Sequence, residues 1–202
     1  MERLMFFLLI TVLSSNCKAN DLKRNSNPIA ISYNDQAVRQ IGSRNFNSAL
    51  MLINKSLSVD SSDVITYSNK VAIYLGLKDF KNALITADKG LYVDSDYAEL
   101  YVTAGAICEI LADSTRAFDY YRKGIKSYAK RISNPNPYDP IELSKSRFNR
   151  ACLLLYCGRK AEGNLELKKL KADNHDIEEF DEFLKVDRQE YLKCLGIKKN
   201  AP

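Results

Sequence analysis

Along most of the chain, apolar residues fall three and four positions apart, the spacing of one face of an α-helix. The stretch AISYNDQAVRQIGS shows it first and stops near Gly42, and FNSALMLINKSLSVD returns. The alternation continues through SSDVITYSNKVAIYLGL and DFKNALITADKGLYVD, then SDYAELYVTAGAICEILA and DSTRAFDYYRKGIKSYAKRI, where Asp113 is placed to cap. SNPNPYDP interrupts the series, because its prolines exclude helix interior. Asp139, Pro140 and Glu142 then supply a restart: a cap, a first-turn proline and a carboxylate three residues after the cap. The fourth pair is IELSKSRFNRACLLLYC, ended by Gly158, and KAEGNLELKKL. A last segment carries Ile177, Phe180, Leu184, Tyr191 and Leu195 on one face and charge on the other, with Lys193 and Gly196 as its stop. It predicts a solvating cap, in 176–202, on an open stack of helices. No segment alternates as a strand does.

The pairs keep a ruler of 34 residues. Phe46, Ala49 and Leu50 become Phe80, Ala83 and Leu84; Leu57, Val59, Asp60 and Ser61 become Leu91, Val93, Asp94 and Ser95. Ala83, Leu84, Gly90 and Leu91 become Ala117, Phe118, Gly124 and Ile125, and Tyr33, Tyr67 and Tyr101 lie on the same ruler. The fourth pair follows after 46 residues, so the connector adds about one helical turn and a loop. Small residues recur where the helices of a pair must cross: Ala37, Gly105 and Ala151 on the first helix, Ala49, Ala83, Ala117 and Gly163 on the second.

This pattern resembles the tetratricopeptide repeat over residues 30–175, with three good units and a degenerate fourth. Tyr33, Tyr67 and Tyr101 stand at the family's early aromatic, Phe46 and Phe80 at the aromatic that opens the second helix, and Ser56, Gly90 and Gly124 at its late small residue. Val71, Arg147, Ser114 and Lys160 depart from the pattern, and Ser61 and Ser95 replace the family's proline. The resemblance implies an all-α, right-handed α-solenoid of antiparallel helix pairs. It also implies a concave face, lined by the first helix of each pair, that binds a peptide or protein segment. On that face it places Asn34, Val38, Ser68, Ala72, Val102, Ala106, Glu109, Lys145, Phe148 and Cys152. Some members clamp a terminal carboxylate there with Lys, Arg and Asn. These residues do not form that set and suit a helix or an apolar segment better.

The N-terminus follows another rule. MERLMFFLLITVLSSNCKAN has a weakly basic start and an apolar run from Leu4 to Leu13, about ten residues long where a spanning helix needs about 20. This is the form of a secretory signal peptide. SSNC resembles a lipoprotein cleavage site, which makes 1–16 the signal, Cys17 the lipidated residue and 17–29 a tether; Ser14 departs from the branched apolar residue preferred there. The alternative is a cut after Ala19. Either places the chain outside the cytoplasm: a membrane-anchored lipoprotein facing the periplasm or cell exterior, or a secreted protein.

Composition adds limits. With 202 residues, 46% hydrophobic and 27% charged, the chain can build a soluble core. Net charge is +5. Arg122, Lys123, Lys126, Lys130, Arg131, Lys145, Arg147 and Arg150 stand against Asp139 and Glu142, a local excess of six positive charges; a solvated face is the default reading, and as a binding surface the cluster suits anionic lipid or an acidic protein rather than nucleic acid. Cys108, Cys152 and Cys157 lie in apolar helical runs and read as buried thiols, with Cys194 the fourth cysteine after Cys17.

Catalytic, metal and cofactor residues are expected to be absent. The single histidine, His175, lies in a polar link; there is no paired Cys/His spacing, no phosphate loop, and the run Glu178, Glu179, Asp181, Glu182 lacks the glycine of a calcium loop. The leading expectation is therefore a non-enzymatic interaction protein, an adaptor or assembly factor of a bacterial envelope. An immunity protein that neutralises a delivered toxin is the alternative, and a hydrolase built on His175 the outlier.

Overall fold

The computed structural model describes residues 27–135 and 140–173. Among them every regular element is a helix: α1 (Pro28–Gly42), α2 (Phe46–Val59), α3 (Val64–Gly76), α4 (Phe80–Val93), α5 (Ala98–Ile110), α6 (Ser114–Ser133), α7 (Pro140–Tyr156) and α8 (Lys160–Asp173). Each packs against the next in chain order, and α1 also meets α3. The result is an α-solenoid of antiparallel pairs, α1/α2 to α7/α8. The expected segment 176–202, Cys17, His175 and Cys194 lie outside the described residues.

Helix starts follow short side chains. Asp63, Asp79 and Asp113 accept the backbone N–H of Ile65, Asn82 and Arg116. Asn27 accepts from Ile29 N–H, with Pro28 in the first turn, so α1 begins inside what composition alone assigns to the tether. The Asn27 N–H itself donates to the Asp60 carboxylate at 2.9 Å, which ties the entering chain to the α2–α3 loop.

Helix ends inside the pairs share one device. Arg44, Lys78, Ala112 and Gly158 each adopt a left-handed φ of about 60–77°. The following N–H reaches back to a carbonyl of the last turn: Asn45 to Gln40, Asp79 to Tyr74, Asp113 to Cys108 and Arg159 to Leu154. This closes the orphaned carbonyls of the helix. Gly158 alone meets the conformation without a Cβ. Gly42 is simply the last helical residue; the stop falls at Arg44.

The core explains the small residues. Ala37, Ala49, Ala83, Ala117 and Ala151 are fully buried at the crossings. At Gly105 the approach is closer still: a Cβ there would sit 2.2 Å from Cε1 of Tyr121, itself buried and 6.2 Å from the Tyr156 ring. One cluster, from Val71 and Leu84 through Leu100, Ile107 and Tyr121 to Leu154, joins the last three pairs. Ile41, Ile53 and Ile73 seat the first pair on the second, and Leu155, Leu167 and Leu170 close the fourth.

Candidate functional site

The inner face is the side formed by α1, α3, α5 and α7, and the structure divides its expected lining. Asn34, Ser68, Ala72, Ala106 and Glu109 are buried. Two of them are held by the stack itself. Asn69 Nδ2 donates to Asn34 Oδ1 at 2.8 Å, joining α3 to α1, and Ser68 is hydrogen-bonded to the Tyr97 phenol at the start of α5. These five are thus structural in this conformation and do not present their side chains to solvent. Val38, Val102 and Phe148 are half-buried, and Lys145 is exposed. Val102 rests on the main core, whereas Phe148 packs on Ala151, Leu155, Leu167 and Leu170 of its own pair. Phe148 is therefore a brace inside the fourth pair, with an edge left toward the inner face. Cys152 is half-buried beside it.

The third and fourth pairs meet on a polar cluster. Arg131 donates to both Glu99 oxygens, at 2.6 and 3.1 Å, and its guanidinium lies 5.5 Å from the Tyr128 ring centroid and 3.8 Å from Glu142. Asn149 Nδ2 donates to the Tyr128 hydroxyl at 3.1 Å, which links α7 to α6. Burial opposes the Arg131 charge, but the Glu99 fork outweighs it and holds the guanidinium above its ordinary pKa. Burial, reinforced by the Glu99 charge, keeps the Tyr128 phenol well above its own. The 20-residue length of α6, against 14 for α2 and α4, carries Tyr128 and Arg131 to this junction. Periodicity gives no signal for such a cluster, because its members come from helices that meet only on folding.

The expected basic cluster is likewise dispersed. Arg122 pairs with Asp119, Lys130 with Asp96, Arg147 with Asp173 and Arg150 with Glu166, in addition to the Arg131 fork. Lys123, Lys126 and Lys145 remain exposed. The local charge excess is thus spread around the solenoid and mostly paired, which removes a continuous basic face.

Among the described residues Cys108 is a buried free thiol and Cys152 a half-buried one; Cys157, expected to be buried, is half-buried as well. Burial pushes Cys108 up to about 11 and Cys152 to about 12, so neither is a nucleophile at neutral pH. Among the same residues no group of His, Cys, Asp and Glu is arranged to hold a metal ion, and no helix is long and apolar enough to cross a membrane.

No family model matches the sequence, and no curated protein matches it. Solved structures do. PilW, a widely conserved type IV pilus biogenesis factor, is 15% identical, with a TM-score of 0.55 over 86% of this chain and 81% of its own. The type III secretion translocator chaperone SycD of Yersinia enterocolitica is 12% identical, with a TM-score of 0.52 over 66% of this chain and 97% of its own. YrrB, a tetratricopeptide-repeat protein with an unusual peptide-binding site, is 15% identical, with a TM-score of 0.50 over 95% of this chain and 93% of its own. The fold is that of the tetratricopeptide repeat. At these identities the likeness concerns the fold alone. In this tetratricopeptide fold Ser56, at the late small position of the first pair, also bonds: its Oγ donates to the Ala30 carbonyl at 2.7 Å, binding the end of α2 to the start of α1.

Proposed function

We propose that this protein is a non-enzymatic interaction module, an adaptor or assembly factor of a bacterial cell envelope. It is exported, and Cys17 carries the lipid that anchors it. Its inner face holds a helix or apolar segment of a partner protein. The observation that carries the reading is the pair Val102 and Phe148, half-buried apolar side chains on the first helices of the third and fourth pairs, with exposed Lys145 one turn from Phe148. Apolar surface kept on a helix face beside an exposed cation suits an amphipathic partner. With the five buried positions set aside, the contact set narrows to Val38, Val102, Lys145 and Phe148. Fold relatives of this kind include YrrB with its peptide-binding site, which makes a peptide-holding role structurally available.

The test uses affinity capture from envelope extracts with tagged full-length protein, followed by a binding assay on the recovered partner. Val102→Lys abolishes binding while helical content and melting temperature hold; Lys145→Glu slows association and weakens its salt dependence. Phe148→Lys belongs in a separate arm, since its brace in the fourth pair makes loss of fold the expected first effect. A folded Val102→Lys protein that binds normally would reject the inner-face assignment. Mass spectrometry of membrane-extracted protein tests the anchor: a mature chain beginning at Asn20 overturns lipidation of Cys17.

A further inference from the structure

A surface crevice lies between α4 and α6, with α5 contributing Tyr101 to its wall. The crevice encloses about 340 Å³, at the small end of ligand pockets. Leu91 and the half-buried Tyr101 line it. Part of its wall is an internally satisfied group: the Tyr120 hydroxyl donates to Asp88, and Arg116 lies 3.6 Å from the same carboxylate and donates to the Tyr120 oxygen at 3.2 Å. Tyr92, 93% exposed, Asp119 and Lys123 complete the lining.

The feature belongs to this junction. One repeat earlier, the positions of Asp88, Tyr92 and Arg116 are Asn54, Ser58 and Asn82, and Asn54 is taken by Lys70. The lining carries equal charges, Asp88 and Asp119 against Arg116 and Lys123, but their pairing is unequal. Asp88 is held by Tyr120 and Arg116, and Asp119 by Arg122. Lys123, and Lys126 one turn on, are exposed with no carboxylate partner among the described residues. A tyrosine as exposed as Tyr92 contributes almost nothing to the core, yet offers a rigid ring and a hydroxyl to a partner.

We propose that this crevice is a second docking site, independent of the inner face, for an acidic peptide segment. An aromatic or large aliphatic side chain of the segment sits against Leu91, Tyr92 and Tyr101, and a neighbouring carboxylate pairs with Lys123. A recess of this size accepts one side chain, whereas a lipid surface calls for a protruding patch.

Full-length, isotope-labelled protein titrated with the peptide acetyl-Glu-Asp-Phe-Glu-amide, followed by amide chemical shifts, tests the site. Shifts are expected at Tyr92, Tyr101 and Lys123. Lys123→Glu weakens binding at least tenfold and Tyr92→Ser, the residue one repeat earlier, at least fivefold. Both positions are exposed, so circular dichroism stays unchanged. The Phe-to-Ala peptide and the peptide with Gln and Asn in place of its acids both lose affinity. Absent shifts, equal affinity for the uncharged peptide, shifts confined to α5 and α7, or binding of this patch to phosphatidylglycerol vesicles and not to the peptide each overturn the assignment. The inner-face variants leave this titration unaltered, so the two sites fail separately.

Discussion

Gly105→Ala is the sharpest test of how the helix pairs are held together. Mid-helix, the change from Gly to Ala ordinarily stabilises by about 1 kcal/mol, because Gly loses more backbone freedom. Here the new Cβ lands 2.2, 2.5 and 2.9 Å from three ring atoms of Tyr121, where contact distances are about 3.5–4.0 Å. Tyr121 has no free side to turn to: it is fully buried, with the Tyr156 ring 6.2 Å away. Either the ring leaves its rotamer or α5 and α6 separate, and overpacking of this kind costs about 1–3 kcal/mol or more. Contacts this short put the cost toward the upper end of that range, so after the propensity gain a net loss of about 1–2 kcal/mol remains, or a melting temperature lower by about 2–8 °C. Gly42→Ala is the control, since nothing lies within 4 Å of a Cβ there, and it should hold or raise stability. Urea denaturation of both variants, together with Tyr121→Leu and the Gly105→Ala/Tyr121→Leu double variant, completes a cycle. The shorter side chain should make Gly105→Ala less harmful, a coupling of about 1 kcal/mol. A Gly105→Ala protein as stable as the parent, or a cycle without coupling, would refute the close-approach argument.

Three further predictions concern the turns, the junction and the entry of the chain. Lys78→Gly and Ala112→Gly relieve left-handed strain at φ of about 60° and should each stabilise by about 0.5–1 kcal/mol in urea denaturation; destabilisation by both would show that the strain is absent. Glu99→Gln leaves Arg131 without its fork and should cost about 1–3 kcal/mol, below the figure for a fully buried pair because the two side chains keep 26% and 16% of their surface; Glu99→Leu with Arg131→Met should recover most of that loss by the same assay. Asp60 is held below the usual carboxylate range by its bonds to the Ser62 side chain and to the Asn27 and Ser62 N–H groups. Its contribution is complete above about pH 4 and falls away as pH drops through the lowered folded value. Asp60→Ala should therefore narrow the stability gap to the parent on acidification, and a gap independent of pH between 2 and 5 would exclude that linkage.

The repeat and its crossings were legible because they are local and periodic. A 34-residue spacing of Tyr33, Tyr67 and Tyr101, and of Ala49, Ala83 and Ala117, writes the same contact several times over, and repetition makes a weak signal readable. Asp113 was equally plain, since a cap involves only its own neighbours. The left-handed turns were not, because Arg44, Lys78 and Ala112 are ordinary residues forced into that conformation by the packing of the helices they join. Tertiary structure also decided which inner-face residues face solvent: Asn34 and Ser68 carry side chains suited to a ligand, but Asn69 and Tyr97, more than 25 residues away in the chain, engage them first. The basic residues from Arg122 to Arg150 form a cluster only along the chain; in space Asp96, Glu99, Glu166 and Asp173 pair with them and divide it. The crevice of Tyr92, Tyr101 and Tyr120 belongs to no single helix and exists only where α4, α5 and α6 come together. Sequence determines what each segment does with its nearest neighbours, since propensity, capping and periodicity act within a few residues. Which surfaces remain free depends on partners brought together by folding, and the unrepeated contacts among them leave no period to read.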